Sequence, residues 1–255
     1  MNKSAARTID ILRLLARGDK PLTQLEISQM LDLPKSSTYE LIYTMMEKGF
    51  VEFDNETAKT FKLSMQVFEI GMTVIEKADI TKVSRPYLEK LSAETGETVF
   101  LAVEDGGAIV YLDRVEESSS ITTAAGLGKR RPMYCTGLGK ALLATYPEAR
   151  VCQIWDKADK TAYTNNTIRK YEDLVGECEK IRKRGFSIDN REMEDEISCV
   201  AAPIYDRLGK AVGAISIATL YLKMDNARTA AFGKLITETA LAISRRLGYR
   251  RDKLF

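Results

Sequence analysis

The residue types able to do chemistry are unevenly supplied in this chain. It contains no histidine, which excludes histidine-based acid–base and triad catalysis. Its four cysteines, Cys135, Cys152, Cys178 and Cys199, are widely spaced and form no C-x-x-C pair. A Cys/His zinc site is therefore not expected, and dispersed thiols of this kind read as reduced and cytoplasmic. Acids crowd into "DNREMEDEISC", with Asp189, Glu192, Glu194, Asp195 and Glu196. Paired carboxylates can do acid–base work or hold a cation, but no accompanying motif supports either, and the stretch reads as a solvated loop face. "GLGKALL" imitates a phosphate loop and fails the pattern, because Tyr134 stands where its first glycine belongs and Ala141 where its hydroxyl belongs. The segment still opens a helix whose free N–H groups suit a small carboxylate. No catalytic residue, metal ligand or cofactor motif emerges.

One cluster points to a different chemistry. Lys35, Ser36, Ser37, Thr38 and Tyr39 follow Pro34 directly and precede the apolar Leu41, Ile42 and Met45. Proline at the start and Gly49 at the end delimit a helix. Its first turn carries small hydroxyls, one cation and one aromatic ring, which suits a helix inserted into a DNA major groove. Ser36, Ser37 and Thr38 allow close approach and can donate to phosphates at a helix end that attracts anions. Lys35 adds charge, and Tyr39 can reach a phosphate or stack on a sugar. The apolar residues further on hold the helix to its domain.

Overall charge is silent on such a partner, since 38 basic and 36 acidic residues leave +2. Residues 1–65 are balanced too, but their acids avoid three places: the N-terminus with Lys3 and Arg7, the position of Lys35, and the stretch with Lys59 and Lys62. Arg7, Lys59 and Lys62 are thus expected on phosphates.

The elements that must position these residues follow from periodicity. Ile9, Leu12 and Leu15, widened by Ile11, predict a first helix over 4–17, capped by Ser4 and stopped by Gly18. A short helix to about Leu31 follows, then the hydroxyl-rich helix. Phe50, Val51 and Phe53, then Phe61 and Leu63, flank a polar turn and predict a hairpin. Together these suggest a winged helix-turn-helix over 1–65. Residues 66–79 predict a linker helix whose Val67, Phe68, Ile70, Val74 and Ile75 would pair with a second subunit. Over 80–255 the pattern changes to a helix over 82–95, a hairpin around Asp105-Gly106-Gly107, a strand in "SITTAAG", helices at "GLGKALLA" and 169–184, a second hairpin around Leu208-Gly209-Lys210, and a long final helix. This is an α+β chain whose second domain is an antiparallel sheet with flanking helices, in the manner of GAF or PAS domains. No signal peptide or run of ~18 apolar residues is present, so no membrane partner is expected.

"ARTIDILRLLARGDKPLTQLEISQMLDLPKSSTYELIYTMMEKGFVE", "GKRRPMYCTGLGKALLA", "RKRGFSIDNREMEDEISCVAAPIYD" and "GKAVGAISI" together resemble IclR-type bacterial transcriptional regulators across nearly the whole chain. The resemblance implies a winged helix-turn-helix that binds double-stranded operator DNA, a linker helix, a GAF-like effector-binding domain, and a homodimer or dimer of dimers. It implies that Gly137 and Leu138, Arg131, Asp189 and Ile197, Cys199, and Ser216 line an effector pocket. Three departures bear on this. Glu40 replaces a common arginine, Ala218 a serine of some relatives, and Arg131 an often aliphatic residue. The last two favour a small organic acid. The function implied is a ligand-responsive, cytoplasmic transcriptional regulator of a catabolic operon, with the direction of control left open. A thiol redox enzyme using Cys135 and Cys199 and a pure dimerisation or signalling module are the rival readings. The first has no reason to carry a DNA-binding head, and the second would lack polar residues converging on one pocket.

Overall fold

In the computed structural model, the structure describes residues 2–17, 20–77, 79–116 and 126–255. The expected stop at Gly18, the expected strand in "SITTAAG" but for its last glycine, and the side chains of Val74 and Ile75 lie outside the described residues. The chain divides into two compact units, Met1–Lys77 and Ala78–Phe255.

The first unit begins with α1 (Lys3–Arg17). Its cap is Asn2 and not Ser4: Asn2 Oδ1 accepts from the Ala5 N–H at 3.1 Å. Ile11 is its buried residue, while Ile9 of the expected stripe is 49% exposed. A two-residue strand, β1 (Leu22–Thr23), leads into α2 (Gln24–Met30), where Thr23 and Glu26 form a reciprocal capping box. The capping bonds, first those from Thr23, hold the Glu26 carboxyl down at about 2. After a turn, α3 (Lys35–Glu47) begins at the N-cap Pro34. The hairpin β2 (Val51–Asn55) and β3 (Thr60–Leu63) follows, with β1 added to its far edge in the order β1-β3-β2. Ile11, Leu22, Ile27, Ile42, Met45, Val51 and Phe61 make the core of this winged helix. The unit ends with α4 (Met65–Lys77).

The second unit opens with α5 (Asp79–Thr95), which tolerates Pro86 in its interior. A hairpin follows, β4 (Thr98–Asp105) and β5 (Ala108–Val115), turning on Gly106 and Gly107 with φ of 59° and 84°. Next come β6 (Arg130–Pro132), α6 (Gly137–Leu143), α7 (Glu148–Lys157), α8 (Tyr171–Arg184) and β7 (Ser187–Asn190). The second hairpin is β8 (Ile197–Tyr205) and β9 (Ala211–Leu220), and α9 (Asn226–Arg246) closes the unit. The strands form one antiparallel sheet in the order β6-β5-β4-β9-β8-β7.

Side-chain alternation divides the core across this sheet. On one face Val99, Leu101, Val200, Ile215 and Ile217 pack with residues of α5 and α9. On the other Phe100, Ala102, Ala201, Ala214 and Ala218 pack with residues of α6, α7 and α8. Small residues on the second face let α6 approach closely. A Cβ on Gly137 would lie 3.5 Å from those of Ala201 and Cys199, and one on Gly139 would overlap the Met133 backbone.

That overlap makes a prediction. Gly139→Ala forces either α6 or the Met133 segment to move, so it should destabilise the protein by about 3 kcal/mol. Denaturant melts of wild type and variant check this.

Candidate functional site

The first turn of α3 is largely exposed and uncapped. Pro34 has no side chain able to cap it, so its first N–H groups remain available to an anion. Lys35 and Ser36 are exposed and Ser37 is half-buried. Tyr39 is 48% exposed, and its ring is braced against Tyr43 at 4.2 Å, which in turn contacts Phe53 and Phe61. Thr38 departs from the expectation. It is fully buried, and its hydroxyl donates to the Pro34 carbonyl at 3.1 Å. The fourth position of the turn rotates inward with Ile42 and Met45, so Thr38 helps to fix the helix start and does not face outward. Gln24 was not singled out from sequence, yet its Nε2 donates to the Lys35 carbonyl at 2.8 Å and ties α2 to the start of α3.

The remaining cations differ in their freedom. Arg7 is half-buried on α1. Lys59 is exposed in the hairpin turn, with φ of 49°. Lys62 lies opposite Glu52 in the β2–β3 register, and its ammonium is 3.6 Å from Glu52 and 3.4 Å from Asp54. The acid-free surroundings read along the chain are therefore not those met in space, because strand pairing brings two acids beside it.

In the second unit, Arg131, Gly137, Leu138, Asp189, Ile197, Cys199 and Ser216 all line a single cavity. They arrive from five elements: β6, the start of α6, β7, β8 and β9. Thr136 fixes the helix start, accepting from the Gly139 N–H at 3.2 Å and donating to the Pro132 carbonyl at 2.9 Å. Phe100, Tyr111, Thr136, Met193, Glu194 and Ala218 complete the wall. Phe100 and Tyr111 were not anticipated; their only sequence signal is strand alternation, which puts them on the face shared with Ala102 and Ile109. The two rings meet edge to face at 5.2 Å.

The cavity volume is about 40 Å³, room for roughly three water-sized groups at ~10–15 Å³ each. Among the described residues, the Arg131 guanidinium and the hydroxyls of Tyr111 and Ser216 make no hydrogen bond. The nearest charge to Arg131 is Glu194, at 4.0 Å. Such unmatched polar groups in a small cavity call for a polar occupant.

Behind the cavity lies a buried charge cluster. Lys140 is 1% exposed. Its ammonium donates to the Ile188 carbonyl at 2.6 Å and to the Glu192 carboxylate. Asp189 is 4% exposed and accepts from the Glu192 N–H at 2.8 Å. One lysine faces two acids: burial raises both, Glu192 pushes Asp189 up further, and Lys140 pulls each back down. Glu192 holds the direct bond to Lys140. Asp189 is pushed up to about 7, so near neutrality it can carry a proton and donate into the cavity. Among the described residues no cluster of acids, cysteines or histidines is arranged to hold a metal.

The thiols are arranged for packing. Burial, then nearby carboxylates, pushes Cys135 and Cys199 up, which suppresses the thiolate that redox chemistry requires. Cys135 Sγ instead touches Met193 Sδ at 3.6 Å. No helix among the described residues is long and apolar enough to cross a membrane.

Comparison with known proteins agrees with this division of labour. Residues 72–245 match the family described as "Bacterial transcriptional regulator IclR C-terminal", and residues 4–55 match "IclR helix-turn-helix domain". The chain is 30% identical over 247 residues to the HTH-type transcriptional regulator XynR of Escherichia coli K12, covering 97% of this chain and 98% of that protein. It is 31% identical over 244 residues to the HTH-type transcriptional repressor AllR of the same strain, covering 96% and 90%. Among solved structures, the crystal structure of the Thermotoga maritima IclR matches with a TM-score of 0.78 at 32% identity, covering 96% of this chain and 99% of that one. Regulators of this kind bind operator DNA and small-molecule effectors and are not enzymes, so the redox reading is not favoured. Both halves of the chain lead to one assignment: it belongs to the IclR family of DNA-binding bacterial transcriptional regulators.

Proposed function

We propose that this regulator is a cytoplasmic repressor of a catabolic operon, released or engaged by a small organic acid. In this reading residues 1–65 grip duplex operator DNA, 66–79 form a linker helix and 80–255 bind the effector. The observation that carries it is the convergence of seven residues, named from the sequence, on one cavity whose guanidinium has an ion-pair partner only at 4.0 Å. Repression is favoured by similarity to AllR, which is named a repressor.

On the DNA side, Lys35, Ser36, Ser37 and Tyr39 would face the major groove, with Arg7, Lys59 and Lys62 on phosphates. Affinity for an operator fragment should fall steeply with salt through counterion release. Lys59→Ala should weaken all sequences alike and reduce the salt slope by about 1. Lys62→Ala should cost less, because Glu52 and Asp54 already compete for that ammonium. Ser37→Ala should change preference among sequences, and combined with Lys35→Ala it should cost roughly 1–3 kcal/mol. Fluorescence anisotropy checks this; an unaffected double variant would remove α3 from the role of reader.

One winged helix has a small footprint, so useful specificity calls for two half-sites and a symmetric homodimer, alone or as a dimer of dimers. Phe68 is 60% exposed and Ile70 48% exposed on α4, an apolar surface suited to a second copy of this chain. Light scattering should show monomers for Phe68→Glu combined with Ile70→Glu, and a larger species for wild type at micromolar concentration.

For the effector, Arg131 would hold a carboxylate with the N–H groups of Gly137 and Leu138, while Ser216 and Cys199 donate to a second oxygen. Leu138 and Ile197 exclude water, and Asp189 favours a ligand hydroxyl or amine. Calorimetry with keto, sugar and hydroxy acids should show Arg131→Ala weakening the best ligand roughly tenfold or more and Ser216→Ala by about fivefold. The pH dependence follows from Asp189. Below about 7 it is protonated, and above about 7 it adds negative charge beside the ligand's carboxylate. Acid affinity should therefore fall as pH rises from 6 to 8, and Asp189→Asn should flatten that dependence.

A further inference from the structure

A cavity this small holds few charges, and two of them face each other across it. Arg131 Nη2 and Glu194 Oε1 are 4.0 Å apart. At that separation they are an ion pair at its outer limit and not a hydrogen bond. The Arg131 side chain is only 24% exposed, and its rigid fork of donors meets no hydrogen-bond acceptor among the described residues. Such a group is matched best by a planar carboxylate in a bidentate pair. Glu194 is a poor substitute: it holds the charge in place without making the bonds.

The chain around Glu194 explains why it can yield. Glu192 is held at three points. Thr167 Oγ1 donates to its carbonyl at 2.7 Å, its own N–H donates to Asp189 at 2.8 Å, and its carboxylate accepts from Lys140. Ile197 is fixed as the first residue of β8. Met193–Glu196 is the short stretch between these anchors, and Glu194 sits in the middle of it with no hydrogen bond to its carboxylate. Displacing that side chain therefore breaks one weak pair and leaves the Lys140 cluster intact.

Resting on the reading of this cavity as the site of a small organic acid, we propose that Glu194 is its specificity-determining residue, an internal counter-ion that holds Arg131 until one ligand carboxylate displaces it. Counting charge gives the ligand class. Arg131 and Glu194 are neutral as a pair. A monocarboxylate takes over Arg131 and leaves one negative charge at the cavity rim, where Glu194 can turn to water. A dicarboxylate brings a second charge into a space bounded by Glu194 and Asp189, with no further cation among the described residues that line it. An uncharged amide of the same shape offers Arg131 no charge and cannot displace Glu194 well. The site thus selects monocarboxylates whose other polar group is a hydroxyl or keto oxygen, which the unpaired hydroxyls of Tyr111 and Ser216 can meet.

The test is calorimetry on the full chain with lactate, pyruvate, lactamide and malonate, for wild type, Glu194→Gln and Glu194→Asp. Removing the competing charge should tighten lactate and pyruvate about fivefold, tighten malonate more, and leave lactamide unchanged. Glu194→Asp keeps the charge and should keep the wild-type order of affinities. If wild type binds the monocarboxylates and Glu194→Gln binds them equally or more weakly, the counter-ion role is overturned while the cavity assignment stands. An equal gain for lactamide also overturns it, since that would mark a steric effect and not one of charge. Failure of all four probes to bind either wild type or Glu194→Gln overturns the cavity assignment and this proposal together.

Discussion

The buried ammonium of Lys140 is the constraint on which the second unit depends. It projects from α6 to the Ile188 carbonyl on β7 and to Glu192 just beyond that strand. One side chain therefore joins the helix on the small-residue face, the outermost strand and the start of the acidic loop. Removing one member of such a buried pair costs roughly 3–5 kcal/mol, because the other charge is left unmatched in a medium that solvates it poorly. The same bonds also protect the sheet. β7 is an edge strand, and an unpaired edge invites other chains. Here Lys140 occupies the Ile188 carbonyl, Asn166 Nδ2 occupies the Asn190 carbonyl at 2.9 Å, and the Asn190 N–H turns to Glu192 at 3.3 Å.

From that anchoring the cavity follows. β9 alternates small and large residues, with Ala214, Ser216 and Ala218 toward α6 and Ile215 and Ile217 toward α5 and α9. The large side chains fill one face completely. The small ones leave a gap on the other, and α6 closes most of it through Gly137 and Gly139. What remains is a space for a few atoms, walled by Phe100 and Tyr111, with the charged groups of Arg131, Asp189 and Glu194 at its edges. A dry apolar filling would be cheaper than these polar groups left without partners. Their presence is what the proposed effector role of this cavity rests on.

The first unit obeys a different economy, in which a short helix must be firm at its base and open at its start. Capping by Thr23 and Glu26, the Gln24 bond to Lys35 and the inward bond of Thr38 fix the approach of α2 to α3. Tyr39 then gains its rigidity from Tyr43, itself seated against Phe53 and Phe61. The outward residues owe their position to inward ones, so a hydroxyl that stands among outward-facing ones in the linear order, as at Thr38, can serve the scaffold instead.

Local signals in the chain settled a good deal. Absence of histidine removed whole classes of catalysis, Pro34 and Gly49 delimited α3, Asp105-Gly106-Gly107 and Leu208-Gly209-Lys210 marked two hairpins, and alternation in the strands separated two faces. These are legible because capping, turn formation and side-chain periodicity act over a few residues. Four elements escaped: β1, β6, β7 and α7. β6 has three residues and β7 four, too few to carry a period, and they are strands because neighbours pair with them. The cavity was named in part through motif likeness, but its aromatic wall, the inward turn of Thr38, the acids beside Lys62 and the facing of Arg131 by Glu194 were decided only by tertiary structure. Each joins residues whose encounter depends on strand register or on the packing of one element over another, and no spacing along the chain encodes such a distance.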